Sequence, residues 1–414
     1  MFRNRQAGLG FILFALVIDI LGIGLIVPVL PQLIGSFENV DLTLASSFYG
    51  LLVALYALMS FAFASAVGSL SDRFGRRPVL LLSLFGLGLD YIIIALAPTL
   101  AWLVVGRLLA GIFGALEATA TAYIADVSAP EKRAQNFGLV GAAFGVGFIL
   151  GPLLGGVLGG INLRLPFWCA AALSLLNVLY GLFVLPESLP VHRRRAFSWS
   201  RANPVGSLLA LRRFPGVLEL TAVFALSSLA LSGLTSVWVL YTAYRYDWNV
   251  TEIGISLSVV GVTSAIVQGT LVGPIVTRLG EARTALLGLS LTALSFALYA
   301  LATQGWMLYL IIVIGAFGSL ATPAVQGAIS RQVPTEEQGL LQGALAGIAN
   351  LTNVISPPLV AGLFAYFVSA TAPFEFPGAA LFLCTFFALA ALLVARRAFK
   401  QLPNDTTFCA EPTR

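Results

Sequence analysis

The 414-residue sequence predicts an all-α membrane protein: twelve transmembrane helices in two pseudo-symmetric six-helix bundles. Three observations support this. Hydrophobic residues make up 58% of the chain and charged residues only 10%, against roughly 25% charged in soluble domains. Apolar runs recur along the whole length, each long enough to cross a hydrocarbon core of about 30 Å as a helix. The sequence also matches itself at a fixed offset of 205 residues: Gly68, Arg73 and Gly75 align with Gly273, Arg278 and Gly280, while Glu131, Gly138 and Pro152 align with Glu336, Gly343 and Pro357. Parallel halves of this kind are built around a site near the membrane midplane.

Helices are expected near 8–30, 48–70, 78–97, 100–125, 135–160 and 165–185, and again near 216–243, 252–277, 284–303, 305–330, 339–366 and 377–397. The expected domains are an N-terminal bundle (1–186), a linker (187–215) rich in Arg, Ser and Pro, a C-terminal bundle (216–397) and a tail (398–414). A membrane barrel would show alternating segments of roughly 10 residues, and runs such as 80–97 and 378–395 do not alternate. The first run follows Arg3 and Arg5 but is too long for a secretory signal and lacks an Ala-x-Ala-like site.

Charge sets the expected orientation. Apart from Arg107 inside a helix and Arg164 and Arg245 on the opposite side, the 23 Lys and Arg residues fall on one side. By the positive-inside rule that side is cytoplasmic, as are both termini, in a bacterial-type inner membrane. The net charge of +5 therefore reflects topology, and nucleic-acid binding has no support. Cys169, Cys384 and Cys409 lack paired or metal-ligand spacing and read as apolar fillers. His192, the only histidine, lies in the linker, so no metal site is expected. No cofactor is expected either: the chain has no phosphate-binding Gly-x-x-x-x-Gly-Lys segment and no nucleophile with a base, which argues against an enzyme.

One loop carries more than basicity. Gly68-Ser-Leu-Ser-Asp72-Arg73-Phe-Gly75-Arg76-Arg77-Pro78 reads as a tight polar loop between two apolar runs, with the next helix starting at the proline. Its acid suits another helix's N-terminus and its arginines suit acids or helix C-termini, so the loop can latch the halves together. Further along, Arg107-x-x-x-Gly111 lies in the fourth helix and Gly147-x-x-x-Gly151-Pro152-x-x-Gly155-Gly156 in the fifth. Small residues there permit close backbone approach, and the proline bends the helix.

These three patterns resemble the signatures of the major facilitator superfamily, the last of them the antiporter motif of its drug exporters. Over nearly the whole chain the sequence is similar to bacterial tetracycline/proton antiporters, through Asp19-Ile-Leu-Gly-Ile-Gly-Leu-Ile-Val-Pro-Val-Leu-Pro31, Leu89-Asp-Tyr91, Tyr123-Ile-Ala-Asp126 and Gln338-Gly-x-x-Gln342-Gly343 among other segments. The resemblance implies the major facilitator fold and export of a metal-chelated tetracycline in exchange for protons. It also implies that Asp19 and Asp90 are intramembrane acids, that Asp72 and Arg76 form a latch, and that Asp126 is its acidic partner. The sequence departs from that family at several pocket positions. The family's eighth-helix His is Ser264, although Gln268 is kept; its ninth-helix Asp falls near Thr292; family glutamines appear as Ser60, Ser228 and Ser232; and Glu117 stands where a small residue is usual.

Asp19 lies roughly 16 Å into its helix at about 1.5 Å per residue, and Asp90 and Glu117 are also well inside their spans. A charge at that depth costs about 2.5–3.5 kcal/mol on insertion scales, so an embedded acid is a functional candidate by default. The expectation is that these acids line a wet pathway and carry protons. Arg107, the embedded cation, needs a partner from another helix or from substrate, because Glu117 stands about 15 Å away along the same helix. Gln268, Gln326, Asn350 and Asn353 are the second-half candidates for the cavity, although helix–helix hydrogen bonds explain them equally well. The expected function is a proton-coupled antiporter exporting a tetracycline-type molecule, working as a monomer among membrane lipid. The alternatives are a transporter of another amphiphilic compound and, outside transport, a membrane sensor or lipid scramblase.

Overall fold

The structure, a computed structural model, describes residues 2–38, 40–114, 116–128, 133–194, 217–334 and 338–401, and every regular element among them is helical. The expected linker beyond residue 194, the tail beyond 401, Glu131 and Glu336 lie outside the described residues. The first half contains α1 (Phe2–Ile26), α2 (Leu30–Gly35), α3 (Leu42–Phe74), α4 (Arg76–Leu96), α5 (Leu100–Phe113), α6 (Leu116–Val127), α7 (Arg133–Ile161) and α8 (Leu165–Val184). The second half contains α9 (Val217–Tyr246), α10 (Val250–Ile266), a π-helical turn (Val267–Leu271), α11 (Val272–Leu301), α12 (Gly305–Gly318), α13 (Ala321–Ser330), α14 (Gln338–Val368) and α15 (Ala379–Gln401).

Among the described residues nine segments are long and apolar enough to cross a membrane, and two shorter apolar helices, Gly10–Ile26 and Leu100–Phe113, accompany them. One of the nine runs 52 residues from Val250 to Leu301 and turns back at Gly280, whose φ of 76° breaks the helix. Counting its two arms separately and including the shorter helices is consistent with twelve crossings. Large exposed side chains such as Phe183, Leu301, Trp306 and Phe386 are apolar; in a membrane they meet hydrocarbon, so their exposure carries no penalty.

The duplication seen in sequence recurs in the backbone. The fourth span is interrupted between Phe113 and Leu116, and the tenth between Gly318 and Ala321, which is the same place 205 residues on. The only glycines with positive φ among the described residues are Gly75 (107°) and Gly280 (76°), again one offset apart.

Several boundaries differ from expectation, each for a local reason. The first span ends at Ile26, because Pro28 and Pro31 lack the N–H groups needed to continue it, and a short second helix follows. The Gly68–Arg77 stretch is not an extended loop. Ser71 Oγ donates to Gly68 O at 2.8 Å within the last turns of α3, Gly75 alone makes the turn, and α4 starts at Arg76 rather than at Pro78. Pro78 still falls in the first turn, where a missing N–H costs nothing. Pro152 does not interrupt α7, and Pro357 and Pro358 do not interrupt α14.

The two turning glycines predict unequal costs. A Cβ at Gly280 meets open space, so Gly280→Ala pays only for a positive-φ backbone (φ 76°, ψ 163°) that is nearly exclusive to glycine, about 1–3 kcal/mol. A Cβ at Gly75 collides with the Glu187 carboxylate, so Gly75→Ala is expected to lower the melting temperature in detergent further than Gly280→Ala.

Candidate transport site and basic-end latch

The charged cluster lies entirely within the first half. Arg107 on α5 donates through Nη2 to Asp90 Oδ2 on α4 at 2.8 Å, with Asp90 fully buried and the Arg107 side chain 11% exposed. The arginine's partner therefore comes from a neighbouring helix. Gly106 makes room for the contact, since a Cβ there would stand 2.6 Å from Asp90 Oδ1. The guanidinium also stands 5.9 Å from the Tyr56 ring centre, a cation–π distance. Tyr91 is within electrostatic reach of Asp19, Asp90 and Arg107, and Gly22, on the helix that carries Asp19, packs directly on the Tyr91 hydroxyl. Asp19 is itself half-buried and has an interaction partner. Among the described residues Asp90 Oδ1 and Arg107 Nε have no hydrogen-bond partner. The expectation that Asp90 lines a wet cavity is corrected in this conformation. Apolar packing seals it inside the bundle, and Arg107 compensates its charge. The Glu117 side chain lies outside the described residues.

The second half offers neutral polar groups instead. Ser227, Ser228, Thr322 and Gln326 line a cavity of about 150 Å³ between α9 and α13, with Phe224, Leu231, Ala321 and Val325 as its apolar walls. Gln268 falls in the π-helical turn and is exposed, Asn350 is half-buried and Asn353 is exposed; none of these three lines that cavity. Thr292 bonds back to its own helix, Oγ1 to Gly288 O at 3.0 Å, and presses against Gly318 of α12.

At the end of the molecule carrying most loop arginines, here the basic end, Arg76 forms the hub. It pairs with Asp72 at 2.7 Å and Asp126 at 3.3 Å and bonds Ser71 Oγ. Arg77 donates to Leu182 O at 2.6 Å, while Arg73 is exposed against the Phe74 ring. The Asp72 side chain is 43% exposed and the whole network belongs to the first half, so Asp72 is available to the other half. Sequence reasoning missed Glu187. Its Oε1 accepts from the Arg76 N–H at 2.9 Å and the Leu189 N–H at 3.0 Å, capping α4 from outside, and Ser188 Oγ donates to Asp126 at 3.2 Å. An acid just after a proline at the end of an apolar run was the available signal.

The halves meet away from the basic end. α7 crosses α10 along backbone, where a Cβ on Gly156 would stand 2.9 Å from Val250 O and 3.0 Å from Gly254 Cα. Thr251 Oγ1 donates to Gly156 O at 3.0 Å and Ser258 Oγ to Ile149 O at 2.9 Å. α3 meets α14 in the same way, Gly50 against Pro357 O. Toward the basic end, Gly68, Gly141, Gly145, Gly269 and Gly273 have no described atom within 4 Å of a built Cβ. Among the described residues the halves are therefore in contact toward the far end and parted toward the basic end.

The family model described as the Major Facilitator Superfamily matches residues 12–271 and 220–407. The chain belongs to the major facilitator superfamily. It is therefore a multi-pass membrane transporter and not an enzyme. It is 43% identical over 358 residues to the tetracycline resistance protein, class C, of Escherichia coli, covering 86% of this chain and 89% of that one. It is 40% identical over 340 residues to the class G protein of Vibrio anguillarum, covering 82% and 86%. Among solved structures it shares the fold of the bacterial homologue of the human lysosomal transporter Spinster, inward-facing and unoccupied. That likeness has a TM-score of 0.77 and 17% identity and covers 96% of this chain and 98% of the other. The human organic anion transporter MFSD10 is similar at a TM-score of 0.70 and 23% identity, covering 94% and 99%.

In this superfamily member the antiporter motif does two separate jobs on two faces of α7. Gly147, Gly151 and Gly155, spaced by four, lie against Ile20, Gly24 and Leu25 of α1 within the first half. Gly156, with Gly159 and Gly160, faces Val250, Thr251 and Gly254 of the second half. Pro152 is buried between them, its carbonyl against Gly254.

Proposed function

We propose that the protein is a proton-coupled antiporter that exports a tetracycline-type molecule by alternating access, its two six-helix bundles rocking about the charged cluster and the α9–α13 cavity. The 43% identity over most of the chain to a tetracycline resistance protein carries the substrate class. The distribution of Lys and Arg makes the basic end cytoplasmic, so the parted basic end and sealed far end correspond to a cytoplasm-open state. Asp19 and the Asp90–Arg107 pair serve the proton. Protonation of Asp90 weakens its hold on Arg107, whose guanidinium can then turn toward substrate or Asp19. Ser228, Thr322 and Gln326 of the second half meet a polyhydroxylated, amphiphilic ligand, Ser227 donating to its own helix at Val223 O, 2.8 Å, and such a ligand travels as a divalent-metal chelate in which the metal is cargo. The monomer contains both halves of the site.

In everted membrane vesicles, tetracycline with Mg²⁺ is expected to accumulate while the lumen is acid and to stop accumulating when the pH gradient is collapsed. Accumulation indifferent to the gradient would refute the coupling.

Thr292 and Ser264 favour a second reading within the same class, an antiporter for a different amphiphile. Thr292 is spent on its own helix and on Gly318, so the second half offers no acid there to a chelated metal. Export of other planar amphiphiles with no tetracycline transport would select this reading.

A further inference from the structure

The two halves carry equivalent ion pairs of opposite polarity. In the first half Arg76, at the start of α4, pairs with Asp126 near the end of α6. In the second half Glu281, just after the Gly280 turn, pairs with Arg331 just after α13. Moving 205 residues on from Arg76 reaches Glu281, and from Asp126 reaches Arg331. The backbone register is the same in both places, since the preceding glycines, Gly75 and Gly280, are the two positive-φ glycines among the described residues. The duplicated scaffold therefore holds one pair of positions in each half at the same height of the basic end, cation then acid in one, acid then cation in the other.

The physical consequence lies between the halves. Pseudo-equivalent positions that lie near an axis along the membrane normal would approach one another when that end closes. If both halves kept the first half's polarity, acid would approach acid at the span-four and span-ten ends, and cation would approach cation beside the glycine turns. Exchange of polarity in one half turns both encounters into attractions, Asp126 toward Arg331 and Arg76 toward Glu281. Exposure agrees with a role beyond stapling. The Arg331 side chain is 62% exposed while Glu281 is 15% exposed, and Asp126 is 27% exposed while Arg76 is 12% exposed, so in each pair the residue at the end of span four or ten is the more accessible one.

We propose that Glu281 and Arg331 are positioning residues for transport, the charge-reversed half of a four-residue clasp that forms across the halves when the basic end closes. The inference rests on the alternating-access reading and is independent of the identity of the substrate. It also accounts for why the second half can lack the aspartate of the first-half latch. Thr277 stands where Asp72 does in the repeat and donates to its own helix, to Gly273 O at 3.1 Å and Pro274 O at 3.0 Å, so it is not offered to the other half as a charge; Glu281 is.

Two variants separate the clasp from a local staple. Glu281→Arg combined with Arg331→Glu keeps an ion pair inside the second half and makes both halves the same polarity; Glu281→Gln combined with Arg331→Gln removes the pair. Transport is read as gradient-driven tetracycline uptake in everted vesicles, normalised to transporter in the membrane, with the unaltered protein first shown to take up the drug. The clasp predicts the order unaltered, then neutral, then reversed, with the reversed variant at least tenfold down. A local staple predicts the opposite order for the variants, reversed equal to unaltered and neutral below both, and that result overturns the proposal. A cross-link provides the second measurement and needs neither substrate nor altered charge. Val127→Cys and Gln332→Cys, equivalent positions beside Asp126 and Arg331, placed in a variant lacking the native cysteines, are expected to join through a short bifunctional thiol reagent. Adding the reversal at Glu281 and Arg331 is expected to reduce joining at least tenfold. No joining in a variant that still transports, or joining unaffected by the reversal, also overturns the clasp, whereas failure of the unaltered protein to take up tetracycline counts against the substrate reading alone.

Discussion

Arg107→Ala is expected to abolish transport and to destabilise the folded protein by about 3–5 kcal/mol, the cost of leaving a buried charge without its partner. Asp90 is fully buried, and the Arg107 guanidinium is the only cation it bonds among the described residues. Without it the aspartate must be protonated or draw water into the bundle. Adding Asp90→Asn to Arg107→Ala is expected to restore most of the lost melting temperature in detergent, because the buried charge disappears with its partner. The same double variant is expected to remain inactive, since the proton held between Asp90 and Arg107 is lost even though Asp19 remains. If the pair only staples α4 to α5, the double variant would recover transport along with stability.

Gly156→Leu is expected to give a stable protein that transports at less than a tenth of the normal rate. Its side chain would enter the crossing of α7 and α10, where the nearest atoms are the carbonyl of Val250 and the Cα of Gly254. Backbone atoms cannot rotate away, so the far-end seal must open. Overpacking of this kind costs about 1–3 kcal/mol, charged only to the conformation in which the halves touch there. The neighbouring substitution fails differently. Gly155→Leu strikes the backbone of Leu25 inside the first half, a contact needed in every conformation, and is expected to lower the amount of folded protein. Measuring membrane abundance and initial transport rate for both variants checks the distinction, and equal loss of abundance in the two would argue that the motif has one face rather than two.

The fold was largely legible in the sequence because lipid imposes long apolar helices and because the duplication repeats its turn glycines at one offset. Local detail was less legible. The interruptions after Phe113 and Gly318 lie inside continuous apolar runs, where hydropathy carries no signal, and the latch pattern proved to be helix up to Phe74 because its polar residues sit at the rim of the membrane. In the site, the membership of Asp90 and Arg107 was visible from the cost of burying charge, while their mutual bond was not, since spacing along a chain does not reveal which helices adjoin. Glu187 was missed because its importance comes from capping a helix 111 residues away in sequence. The cavity lined by Ser227, Ser228, Thr322 and Gln326 was only partly anticipated, because hydroxyls in spanning helices are usually bound to their own backbone, as at Thr242 and Ser295.

Alternation between two sealed ends is tested most directly by paired spin-label distances in the protein reconstituted in lipid. One pair joins exposed Leu70 and Leu279 at the basic end, the other joins exposed Ile161 and Leu301 toward the far end. Rocking of the two halves predicts that conditions favouring transport shorten the first distance while lengthening the second, in one correlated population change. Two distances that stay fixed, or that lengthen together, in a preparation that still transports would contradict it.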